Sequence, residues 1–159
     1  MDEQELIDTL HIHNLLCRFM QSFDDKNWRQ MRACLHHTVF CDYSSFRDVP
    51  PAAMPAERYV AQRQAALSAL ALQHNFTNLR VEVQGDLASA RCNYVIHRFH
   101  PQFTGAADEF FHSYGHYEFT LRRLGDAWKI DRIAQYLLTN HGNPELHGAT
   151  RSVDHTRHV

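Results

Sequence analysis

His74 stands in the stretch QHNFTN, just ahead of the regular alternation LRVEVQGD. Imidazole titrates near neutrality, so a histidine facing a cavity can take a proton and return it. The same residue at an exposed strand end does no chemistry, and both readings fit the sequence. Asp24 and Asp25 are adjacent but not equivalent. Asp24 continues the stripe Leu16–Met20 at i+4 spacing, whereas Asp25 follows Arg18 and Gln21 onto the wet face. A half-buried carboxylate needs a partner. The competing role for Asp24 is to cap the helix that opens at DDKNW. Tyr43, in TVFCDYSSF, shares a strand face with Val39, Cys41 and Ser45. That apolar face ends in hydroxyls, which could wall a pocket or sit satisfied in a core. Tyr117 and Phe119 fall on an apolar face with Phe111 and Leu121. His112, Tyr114, His116 and Glu118 fall on the opposite, solvated face.

Histidine is abundant, at 13 of 159 residues, and metal binding is the first chemistry to weigh. The close pairs are His11/His13, His97/His100 and His112/His116. None is joined by a Cys pair or an HExxH helix, so no metal site is expected. His11 and His13 point about 200° apart on a helix and cannot chelate together. Cys17, Cys34, Cys41 and Cys92 lack Cys-x-x-Cys spacing and read as free, buried thiols. The net charge of −2 comes without a basic stripe, which argues against nucleic acid. No apolar run reaches the roughly 20 residues of a membrane span. The segment MDEQELIDTL lacks the basic and apolar regions of a signal peptide, so a cytoplasmic location is expected.

These residues must be held by elements whose periods change along the chain. Residues 4–23 read as an amphipathic helix, 27–35 as a shorter one and 56–72 as a third. Residues 38–46 read as a strand and RDVPPAAMP as a loop, because paired prolines interrupt a ladder. Residues 74–84, 87–100, 110–124 and 127–139 read as four strands, with tight turns at Gly85-Asp86 and Gly125-Asp126. Helices followed mostly by antiparallel strands give an α+β class. The expected architecture is a cone: three N-terminal helices packed in a curved, mainly antiparallel sheet enclosing a pocket. Residues 1–140 read as a single domain and 141–159 as a His-containing C-terminal tail with few apolar anchors.

Taken together, SFDDKNWRQMRACL, VFCDYSSF, AMPAERYV, LQHNFTN and VIHRFH resemble scytalone dehydratase, within the SnoaL-like, nuclear transport factor 2-like superfamily. The likeness runs over roughly residues 5–135 and is densest over 22–60. It implies the cone-shaped fold of that superfamily and a cofactor-independent lyase of dehydratase type. His74 would be the general acid/base, oriented by Asp24, with His100 and Tyr43 also catalytic. Phe23, Val39, Phe76, Phe99, Tyr117 and Phe119 would line the substrate site. The implied substrate is a small hydrophobic, hydroxylated cyclic carbonyl compound, polyketide- or steroid-like. The implied assembly is a homodimer or homotrimer. Phe23 replaces one of the family's tyrosines, while Gly115 and Tyr117 replace its serine and asparagine, which points away from scytalone itself. The superfamily also contains isomerases, polyketide cyclases and non-catalytic proteins, such as the small subunit of ring-hydroxylating dioxygenases. Those alternatives stay open at the level of sequence.

Overall fold

The protein is described by a computed structural model that covers residues 2–147. The first helix, α1 (Glu3–Asp24), begins on a capping box. The Asp2 carboxylate accepts from the Glu5 N–H at 2.8 Å, and the Asp2 N–H donates to the Glu5 carboxylate at 3.0 Å. Ile12, Leu15, Leu16, Phe19, Met20 and Phe23 form its buried stripe. The helix stops at Asp24, and Lys26 takes the left-handed conformation at φ 55°. The second helix, α2 (Trp28–Cys34), is capped by Asn27, whose side-chain oxygen accepts from the Gln30 N–H at 3.0 Å. The capping role left open for Asp24 therefore belongs to Asn27.

The remaining elements are β1 (Leu35–Asp42), β2 (Ala52–Pro55), α3 (Ala56–Leu67), β3 (Ala71–Gln84), β4 (Leu87–Phe99), β5 (Phe111–Leu124) and β6 (Ala127–Gly142), then a 3-10 turn at Pro144–Leu146. The strands form one six-stranded sheet in the order β2-β1-β6-β5-β4-β3. Here the expected cone is corrected. The α+β class and the three helices stand, but the sheet is mixed, with β1 parallel to β6, and open. Its edges are β2 and β3, and it is neither closed nor strongly curled. Alternation along a strand tells which residues share a face. It does not say how far successive strands coil, and a parallel pair has no turn between its strands to give it away.

Local boundaries also move. β2 lies inside the expected RDVPPAAMP loop, on a sheet edge where proline is tolerated. α3 ends at Leu67 and β3 begins at Ala71, so His74 sits within its strand, paired with Ile96. β1 ends at Asp42, which puts Tyr43 at the start of the following turn rather than on the strand. From residue 148 onward the expected tail lies outside the described residues. Among the described residues, no helix is long and apolar enough to cross a membrane.

The helices cover one face of the sheet, with α1 packed chiefly against β3. Asp8 pins the other end of α1 to the β5–β6 hairpin and is only 2% exposed. Its carboxylate accepts from the Trp128 Nε1–H at 2.9 Å and from Arg123 Nη2 at 2.7 Å. Burial pushes this carboxyl up, but the hydrogen bonds from Arg123 and Trp128 prevail and hold it below its ordinary value. Asp8→Ala strands a buried indole donor, so it should cost about 1–3 kcal/mol in urea unfolding. The stabilising contribution of Asp8 is present in full above the unfolded carboxyl value near 4 and is lost as pH falls through the lower folded value. The melting temperature of Asp8→Ala should therefore depend less on pH in that acid window than that of the wild type.

Candidate functional site

Asp24 is the last residue of α1, and His74 lies on the helix-facing side of β3. The packing of α1 on β3 brings them together. His74 Nδ1 is 2.7 Å from Asp24 Oδ1. The His74 backbone N–H donates to both carboxylate oxygens, at 3.0 Å each. A carboxylate accepts, so Nδ1 carries the ring proton and Nε2 keeps its lone pair. The His74 side chain is 3% exposed and that of Asp24 22%. Phe23 stacks on the imidazole at 4.4 Å and 23°. Burial pushes the His74 pKa below its ordinary value, outweighing the upward pull of Asp24. The result is a neutral, oriented imidazole at neutral pH, a state suited to accepting a proton.

Tyr43 belongs to a second constellation. Its hydroxyl is 2.7 Å from that of Tyr59 on α3, and both tyrosines are buried. Burial raises both phenols above their ordinary value, so both stay protonated as donors. Together with Arg47, Arg63, Met54 and Cys41 they line a cavity of about 520 Å³. A series of ring contacts through Phe19 and Phe23 joins Tyr59 to His74. Phe23 meets Phe19 at 5.3 Å, and Phe19 meets Tyr59 at 6.4 Å. His74 itself borders a shallower groove of about 310 Å³ with Met20, Gln21 and Phe76. A third, larger groove of about 590 Å³ runs along α1 and α2, lined by His11, Arg18, Arg29 and Lys129. It is larger, but no acid–base pair like that of Asp24 and His74 is bonded among its lining residues.

The structure brings Asp24 and His74 together and places the other expected residues around them unevenly. Tyr117 and Phe119 lie buried on the helix-facing side, stacked at 5.4 Å. Val39 is fully buried in the core. Phe76 is half-buried, edge-on to His13 at 6.0 Å. His100 and Phe99 depart from expectation. β4 ends at Phe99, and His100 is exposed in the turn beyond, its Nδ1 accepting from the Gln102 N–H at 3.2 Å. Phe99 is on the outer face, 5.0 Å from both Phe103 and His112. The inward residue at this end of β4 is Arg98, which is 3% exposed and donates from Nη1 to Ser113 Oγ at 3.0 Å. Among the described residues, no group of three or more His, Cys, Asp or Glu side chains is placed to hold a metal ion.

Gly115, where the resemblance implies a serine, has no room for a side chain. A Cβ added to it would lie 2.0 Å from the Tyr136 carbonyl oxygen and 2.8 Å from the Tyr94 hydroxyl. Gly115→Ser should therefore destabilise the fold by about 1–3 kcal/mol or more, and it should not restore a family-type hydroxyl. Urea unfolding tests this, and an unchanged midpoint would show that β5 and β6 can part at this point.

The SnoaL-like domain family model matches residues 4–134. The scytalone dehydratase PfmaJ of Pestalotiopsis fici is 39% identical over 54 residues, 34% of this chain and 28% of that protein. A scytalone dehydratase-like protein of Passalora fulva is 25% identical over 84 residues, 53% of this chain and 48% of that protein. The chain thus spans half or less of the length of these curated relatives. Among solved structures, a Kribbella flavida protein superposes with a TM-score of 0.84 at 22% identity, covering 91% of this chain and 99% of that one. A type 2 hexachlorocyclohexane dehydrochlorinase superposes with a TM-score of 0.75 at 13% identity, covering 96% and 100%.

Proposed function

This chain belongs to the SnoaL-like domain family, and from that premise we propose that it is a small-molecule lyase of dehydratase type. The observation that carries the reading is the 2.7 Å bond between His74 Nδ1 and Asp24 Oδ1 on a buried, neutral imidazole. Nε2 takes the proton from the carbon next to a substrate carbonyl. The C–H electron pair moves toward that carbonyl and then forms the new C=C bond as the β C–O bond breaks. The leaving hydroxide takes the proton back from His74 and departs as water. Asp24 fixes the tautomer and stabilises the transient imidazolium. The Tyr43–Tyr59 hydroxyl pair, linked to His74 through the Phe19 and Phe23 ring contacts, would supply a donor where enolate charge develops. The partial likeness to curated scytalone dehydratases supports elimination of water as the direction. Residues 1–140 act as one catalytic domain in this reading.

The test is proton exchange in D₂O, followed by NMR, on scytalone and a panel of cyclic β-hydroxy ketones. Wild type should exchange the α-proton or eliminate water from at least one of them. A ligand-binding or purely structural role predicts that wild type and His74→Asn behave alike on every compound, and that outcome would remove the lyase reading.

A further inference from the structure

Two arginines, Arg47 and Arg63, are buried against the tyrosine pair, and a third, Arg98, is buried against Phe46. Arg47 and Arg63 are each 6% exposed and Arg98 3%. Among the described residues, no carboxylate oxygen comes within 4.0 Å of any of their nitrogens. The Nε–H group of each is buried without an acceptor among the described residues. What surrounds them is aromatic. Arg63 lies 4.9 Å from the Tyr43 ring and 5.1 Å from Tyr59. Arg47 lies 5.5 Å from Tyr43 and 5.8 Å from Phe46, and Arg98 lies 5.3 Å from Phe46. Ring faces attract cations and offset part of the burial cost, but they carry no formal negative charge. His147 does not supply one either. Arg47 Nη2 lies 2.9 Å from its Nε2, and burial together with the three arginines holds the imidazole far below its ordinary pKa, hence neutral. The guanidiniums also act on one another: burial first, then Arg63, pushes Arg47 down to about 9. Burial pushes Arg98 down to about 10.

Among the described residues, an anion is what this constellation lacks. Arg47 and Arg63 both line the 520 Å³ cavity, and Arg98 stands behind Phe46, bonded to Ser113. A guanidinium presents a planar fork of donors that matches a carboxylate. Tyr43, Tyr59 and Met54 offer flat, apolar area for a ring. We propose that this cavity binds an aromatic or polycyclic carboxylic acid, its carboxylate held by Arg47 and Arg63. This deepens the function proposed above and rests on it in one respect, since it makes the eliminated substrate an acid rather than a neutral ketone.

The test compares 2-naphthoate with its neutral isostere 2-naphthamide by calorimetry and thermal shift at one pH and ionic strength. Wild type should bind 2-naphthoate at least about tenfold more tightly, and Arg47→Met and Arg63→Met should each erase that preference. Without ligand, neither variant should melt below the wild type, because each removes a buried, uncompensated charge. Equal binding of acid and amide by wild type overturns the proposal, and that comparison needs no variant to fold. Inorganic sulfate raising the melting temperature as much as 2-naphthoate also overturns it, since the site would then read charge alone. Binding is measured without turnover. A protein that prefers 2-naphthoate through Arg47 and Arg63 but eliminates nothing keeps this inference and loses the lyase reading. One that eliminates water from a neutral ketone and ignores the acid does the reverse.

Discussion

His74→Asn should lower turnover by about 10²–10⁴-fold on whichever β-hydroxy carbonyl compound the wild type eliminates, while the protein stays folded. Asparagine keeps the polarity and much of the volume of the inner half of the ring but has no group that titrates near neutrality. Its side-chain amide can still reach Asp24, and the residue 74 backbone N–H still donates to that carboxylate, so the α1–β3 junction is retained. What disappears is Nε2. The pH profile adds a second signature. Burial outweighs Asp24 and places the imidazole below its ordinary value. The base form therefore persists below pH ~6.5, and the acid limb of kcat/KM should fall beneath that pH. The same depression makes the unfolded chain the better proton acceptor. Its contribution to stability is thus full above pH ~6.5 and declines as pH falls through the lower folded value. Melting temperature against pH separates this loss from loss of catalysis, because the stability decline requires no substrate. Turnover by His74→Asn equal to wild type would take the proton shuttle away from this residue.

Much of this arrangement was legible in the chain. The α1 stripe ending in Asp24 is a period that any packed amphipathic helix must show, and it points to a half-buried carboxylate. Alternation along β5 sorted Tyr117 and Phe119 from His112 and His116. Other features differ from the sequence expectation for identifiable reasons. The His100 assignment followed a matching VIHRFH string, yet β4 ends at Phe99 and His100 falls beyond the alternation. Arg98 shares parity with Tyr94 and Ile96, so its inward position was readable from the run Cys92, Tyr94, Ile96. Tyr59 and Arg63 likewise occupy the buried stripe of α3 with Ala56, Val60 and Leu67. An arginine inside an apolar stripe is the signal for such a site. The openness of the sheet had no such signal. It depends on coiling between strands and on the parallel β1–β6 pair, which joins distant parts of the chain.

Asp24→Asn should cost up to about 10⁴-fold in turnover and should do so through the imidazole. In the wild type Asp24 Oδ1 accepts from both the ring and the backbone of His74. Asparagine offers one oxygen and one amide group. With the amide turned to the ring, Nδ1 becomes the acceptor, the proton moves to Nε2, and the face meant to take a proton already holds one. With the oxygen turned to the ring, the tautomer survives but the charge that stabilises imidazolium is gone. Either way the upward pull of Asp24 on His74 is lost and burial acts unopposed. The acid limb of the pH profile should therefore move to lower pH while its plateau falls, a pair of changes that a helix-end or strand-pinning role would not produce. Stability should drop by only about 1 kcal/mol, because an amide oxygen still accepts from the His74 N–H. The Asp24→Asn/His74→Asn double variant should be no slower than His74→Asn alone, since residues acting as one unit are grossly non-additive. Multiplicative losses would mean that the carboxylate and the imidazole work apart, and the 2.7 Å bond between them would then be a structural contact.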